Sequence, residues 1–138
     1  MALVHRPDLL VLDEPSTGLD PVSRKELWRL IGEAAAAGAG VLFATTYLDE
    51  AGRSDFACVL DEGSVLLQGS PRELTSSRGG SFSETGERPD TPYAWRRGRS
   101  WRFWTPDDTA NAGARRVAPD LEDAVVVAAL RKREGAKA

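Results

Sequence analysis

The first regular pattern along the chain is a continuous apolar run, Leu9-Leu10-Val11-Leu12, closed by Asp13-Glu14-Pro15. An unbroken apolar run of strand length predicts a strand buried on both faces, as in a parallel sheet, with two acids at its C-terminal end. Ser16 to Leu19 reads as a loop. Asp20-Pro21 then supplies an N-cap and a proline at the first helical position. Leu27, Leu30, Ile31 and Ala34 fall at helical spacing and give one apolar face, which Gly38 and Gly40 end. Val41 to Ala44 predicts a second buried strand. Strand, helix, strand in this order implies a parallel crossover unit, and an α/β fold class.

Further on, Tyr47 to Gly52 suggests a short helix. Phe56–Leu60 and Ser64–Gln68 flank Asp61-Glu62-Gly63 and predict a hairpin at the edge of the same sheet. Ser70-Pro71-Arg72-Glu73 has the form of a capping box opening another short helix. At Ser76 the composition turns to Ser, Gly, Arg, Glu and Pro, and residues 76–98 read as a flexible linker. Ser100 to Thr105 alternates like a strand, and Asp107 to Ala114 reads as a polar loop. Pro119-Asp120 starts a helix to about Arg133, with Leu121, Val125 and Ala128-Ala129 near one face. The expected division is residues 1–75, a linker over 76–98, and a small α+β appendage over 99–138.

Composition changes this picture little. The net charge of −3 gives no general attraction to nucleic acid or anionic membrane. The only cysteine, Cys58, excludes an internal disulfide, lies in an apolar run and is expected to be a buried, inert thiol. No apolar run approaches the roughly 20 residues that span a bilayer, and residues 1–7 do not have the form of a signal peptide. The only histidine, His5, is expected at the surface.

Candidate chemistry lies in Asp13-Glu14. Carboxylates at the carboxyl end of a parallel strand face the crevice where open α/β sheets bind ligands. Two adjacent acids can divide the work. One can sit near a Mg²⁺ held mainly by phosphate and water; the other can polarise an attacking water. The same pair also reads as two solvated acids before a turn. The longer string decides between these. Leu9–Asp20, with its Asp-Glu-Pro and Ser-Thr-Gly-Leu-Asp-Pro, resembles the Walker B segment and D-loop of ABC-transporter ATPases. Three further stretches fall in the family's order. Ala2–Asp8 resembles the end of the helix after the signature, Thr45–Ala51 the switch region, and Leu60–Leu74 the closing hairpin and helix. Pro119–Val125 is similar to an element near the end of drug-exporter subunits.

The resemblance implies part of a P-loop NTPase-type parallel sheet, and ATP and Mg²⁺ as cofactors. It implies that Asp13 helps hold Mg²⁺ and that Glu14 is the catalytic carboxylate. Asp20 would belong to the D-loop, and Thr46 would stand where the family's switch histidine meets the nucleotide. It also implies a membrane-spanning permease and a second ATPase domain as partners, at the cytoplasmic face of the membrane. Two departures limit this. Thr46 offers a hydroxyl but no imidazolium. The 138 residues also hold no G-x-x-x-x-G-K-[ST] loop, Gln-loop or Leu-Ser-Gly-Gly signature. The expectation is therefore a C-terminal fragment of an exporter ATPase, inactive by itself. Two alternatives are a split subunit completed in trans and a nucleic-acid-binding protein using Tyr93–Trp104, where arginines and aromatics interleave. The acidic balance weighs against the second, so no nucleic-acid partner is expected.

Overall fold

A computed structural model describes residues 5–76, 79–107 and 113–136. The chain divides into two compact units, Met1–Tyr47 and Leu48–Ala138.

The first unit is the predicted crossover. Strand β1 (Leu9–Asp13) pairs in parallel with β2 (Gly40–Ala44), in the register Leu10↔Val41 and Leu12↔Phe43. Helix α1 (Pro21–Ala36) connects them. Its N-cap is Asp20, whose carboxylate accepts the amides of Val22 and Ser23. After Ala37, Gly38 turns the chain at φ +102°, a conformation glycine adopts without steric cost. Trp28 meets the edge of Phe43 at 4.9 Å and Ile31 is buried, so α1 covers the sheet face that carries Leu10, Leu12, Val41 and Phe43. The other face is open: Leu9 is 61%, Val11 66% and Leu42 62% exposed. The expected burial on both faces is thus corrected, because this unit supplies one helix and one helix covers one face.

In the second unit, α2 (Leu48–Ala51) leads to a hairpin of β3 (Ala57–Asp61) and β4 (Ser64–Gly69). Glu62 and Gly63 both have positive φ, the signature of a two-residue type I′ turn. The hairpin is a sheet of its own rather than an edge of the parallel sheet. Its inward residues Ala57 and Leu67 are packed with Leu74 of α3 (Pro71–Ser76) and with Leu121 and Ala128 of the last helix, α4 (Leu121–Gly135). With Ala57 facing in, strand alternation turns Cys58 out, and its thiol is exposed rather than buried. The capping box at α3 is present. The Ser70 amide donates to Glu73 at 2.9 Å, and the Glu73 amide donates back to Ser70 Oγ at 3.2 Å.

The stretch expected as a flexible linker is mostly folded. It contributes β5 (Ser81–Thr85) and β6 (Ala94–Arg97) to a four-stranded antiparallel sheet with β7 (Ser100–Thr105) and β8 (Arg115–Arg116), in the order β6-β7-β5-β8. Its polar composition hid the strands, because serines are buried inside the sheet. Ser81 and Ser83 are buried, and Ser81 Oγ lies 3.0 Å from Thr105 Oγ1. Gly80 (φ +69°) is required here, since a Cβ at that position would lie 2.0 Å from the Thr105 carbonyl oxygen. The polar loop expected over 107–114 falls largely outside the described residues.

Helix α4 opens with a reciprocal capping box of Asp120 and Asp123. It lines both cores of this unit. Leu121 and Ala128 belong to the hairpin cluster, and Val127 packs with Phe82 and Trp104 of the sheet. Arg97 and Arg102 reach Asp123 from β6 and β7 and fasten the sheet to the start of α4. Burial pushes the Asp123 carboxyl up, against the pull of these two arginines. Among the described residues no helix is long and apolar enough to cross a membrane.

Candidate functional site

The carboxyl ends of β1 and β2 carry the predicted residues. The Glu14 amide donates to the Ala44 carbonyl at 2.9 Å, so the ladder runs one residue past β1. Glu14 itself has φ +44°, a left-handed conformation that costs a non-glycine residue. The turn it heads is closed by the Thr17 amide, which donates to the Glu14 carbonyl at 3.1 Å. The half-buried Glu14 side chain accepts two hydroxyls on one oxygen. Thr17 Oγ1 is 3.1 Å and Thr46 Oγ1 3.5 Å from Oε2. The structure therefore brings Glu14 and Thr46 together from the ends of adjacent parallel strands.

Asp13 is exposed and lies on the open face, in line with Leu9 and Val11. Asp20 is engaged elsewhere. Its carboxylate takes the Val22 and Ser23 amides and the Ser23 hydroxyl, and those bonds hold it below the usual aspartate range. None of its bonds goes to Glu14, Asp13 or Thr46. Among the described residues no group of three His, Cys, Asp or Glu side chains is placed to hold a metal. The residues present fit Mg²⁺ in one form only, an ion that takes most of its oxygens from phosphate and water and one or two from carboxylates. Asp13, exposed at the strand end beside Glu14, suits that form.

Sequence reasoning missed three residues. Thr17 had a signal: a hydroxyl three residues after an acid in a turn reaches back to it. Arg24 and Tyr47 had none. The Arg24 guanidinium of α1 lies 4.8 Å from the centre of the Tyr47 ring. A cavity of about 590 Å³ in this unit lies at the opposite ends of the strands, lined by Arg6, Asp8, Leu30, Glu33 and Gly38. None of the candidate residues faces it. His5 is exposed, as expected, whereas the helix end expected over residues 2–8 begins outside the described residues.

The chain matches no family profile. It is 45% identical over 78 residues to the "Probable multidrug ABC transporter ATP-binding protein YbhF" of Escherichia coli (strain K12), covering 56% of this chain and 14% of that protein. It is 48% identical over 79 residues to the "Daunorubicin/doxorubicin resistance ATP-binding protein DrrA" of Streptomyces peucetius, covering 56% of this chain and 24% of that protein. Over that 56%, this chain is similar to ABC transporter ATP-binding proteins. It spans between about a seventh and a quarter of their lengths. Among solved structures, UvrA2 from Deinococcus radiodurans is similar over 70% of this chain and 15% of its own. The identity is 20% and the TM-score 0.44, too loose a likeness to bear on fold or function.

Several rings and arginines of the arginine-aromatic stretch are taken up inside the protein. Phe103 is 1% and Trp104 4% exposed, Tyr93 and Trp95 pack against the Phe82 cluster, and Arg97 and Arg102 are paired with acids of α4. Stacking on a base needs an open ring face. Phe103 and Trp104 have no such face to offer.

Proposed function

We propose that this chain supplies the Walker B strand, D-loop and switch segment of the ATP-binding subunit of an ABC-type exporter. Glu14 is the catalytic carboxylate, Asp13 would help hold Mg²⁺, Thr46 is the switch residue and Asp20 the anchor of the D-loop at α1. The observation that supports this reading most is the meeting of Glu14 with Thr46 across two parallel strands, at the strand ends where such sheets bind their ligands. The names of the relatives speak of multidrug transport and drug resistance, and the resemblance of Pro119–Val125 to a drug-exporter element supports export. A membrane-spanning permease and a second ATPase domain would complete the assembly at the cytoplasmic face of the membrane.

Mg²⁺, when bound, would neutralise charge on the phosphate oxygens. Glu14 would accept a proton from water as the water oxygen bonds to the γ-phosphorus. The bond from that phosphorus to the β–γ bridging oxygen breaks, and ADP leaves with that oxygen. Polyphosphate affinity comes largely from a loop of backbone amides and a lysine, and these 138 residues hold no such motif. The loop must come from further residues of the same ATPase or from a partner chain. Mg-ATP turnover by the purified 138-residue chain is therefore expected to stay at background. Turnover should appear when the phosphate-loop half is joined or added, and Glu14→Gln should remove it. Turnover that survives Glu14→Gln would sink the reading.

A further inference from the structure

Two hydroxyls converge on one oxygen of Glu14, and the resemblance assigns no role to one of them. Thr46 comes from the switch segment. Thr17 comes from the turn that Glu14 itself heads, and its bond is the shorter, 3.1 Å against 3.5 Å. Around this pair the backbone is tightly determined. The Glu14 amide is tied to Ala44, the Thr17 amide to the Glu14 carbonyl and the Leu19 amide to the Ser16 carbonyl. Glu14 keeps a left-handed φ of +44° within that frame. A half-buried glutamate with three side-chain torsions has many rotamers, and a carboxylate that must meet one water needs one of them.

We propose that Thr17 is a positioning residue for Glu14. Its hydroxyl holds Oε2, with Thr46 as the weaker second donor, and so presents Oε1 to the attacking water. A hydrogen bond to a charged group is strong enough to select one rotamer among several. Thr17 is exposed to solvent. The inference rests on the catalytic reading of Glu14 given above, but the placement of the carboxylate can be tested without ATP.

The test uses Thr17→Val, which keeps the shape and loses the hydroxyl, and Thr17→Ser, which keeps the hydroxyl. In the 138-residue chain, three-bond NMR couplings report the χ1 and χ2 populations of Glu14. One dominant rotamer is expected in the wild type and in Thr17→Ser, and averaged couplings in Thr17→Val. Identical couplings in all three would overturn the clamp, whatever the function of the chain. In the complete ATPase, with the phosphate-loop half present, Thr17→Val should lower kcat about tenfold with KM unchanged, and Thr17→Ser should restore it. Averaged couplings with an unchanged kcat would overturn the positioning role. A complete assembly without Glu14-dependent turnover would remove the functional reading while the couplings still decide the clamp.

Discussion

Single residues in the second unit differ widely in what they hold. Phe103 is almost wholly buried in β7, and Phe103→Ala should cost about 3–5 kcal/mol of that unit's stability. Urea unfolding followed by tryptophan fluorescence would measure it; a loss below about 1 kcal/mol would mean the site is not packed. Titration matters as well. The Ser100 hydroxyl and Arg115 hold the Glu84 carboxyl below its ordinary value of 4.5, and the Ser70 hydroxyl and amide do the same for Glu73. An acid with a lowered folded value stabilises the fold above its unfolded value, and that contribution is lost as pH falls through the folded one. Asp123, pushed up by burial, works in the opposite direction, because its folded form takes a proton more readily. Asp120, whose pairing with Arg97 outweighs its burial, is lowered too, so with three carboxyls of this unit against one the thermal midpoint is expected to fall as pH drops below about 4.5. A midpoint that rises over that range would show that Asp123 dominates. At this scale the sequence pointed to Asp13, Glu14 and Asp20, because acids at a strand end and an N-cap are local features, and to Thr46 through the resemblance of Thr45–Ala51 to a known segment. It could not show that Thr17 and Thr46 meet on one oxygen of Glu14.

At the scale of elements, α4 decides how the second unit holds together. It closes the hairpin cluster with Leu121 and Ala128 and the sheet cluster with Val127. Lys132 also reaches Asp61 in the hairpin at 2.8 Å. If residues 99–138 folded separately from the residues before 76, hairpin and appendage would unfold independently. Val127→Asp places an unpaired acid at a fully buried position and distinguishes the two cases. Hydrogen exchange should accelerate in β3 and β4 as well as in β5 and β7. Unchanged protection of the hairpin would restore the division at residue 75. The cap is a smaller test. Asp120→Ala should cost about 1 kcal/mol, read as a lower denaturation midpoint. The capping motifs at Asp20 and Ser70 were legible because a cap is set by four or five neighbouring residues. Strands β5 and β6 were not, because their burial depends on β7 and α4 rather than on their own apolar content.

For the molecule as a whole, the open face of the first unit has the clearest consequence. Leu9, Val11 and Leu42 form a contiguous exposed apolar surface on a parallel sheet, a kind of sheet normally covered on both faces. The chain should self-associate at micromolar concentrations, and Val11→Lys with Leu42→Lys should shift sedimentation toward the monomer. A wild-type chain that stays monomeric at those concentrations would contradict this. The sequence by itself determined the strand-helix-strand order, the acids at the end of β1, the caps, and the likeness to ABC transporter ATP-binding proteins. All of these are written in short windows where neighbours in the chain are neighbours in space. Only the tertiary structure decided which sheet faces are covered, that Cys58 points outward, and that Phe103 and Trp104 of the arginine-aromatic stretch are core. It also decided that a polar segment forms two strands and that one helix serves two clusters. Those outcomes depend on contacts between residues far apart in sequence, where burial is a property of the partner surface and not of the segment alone.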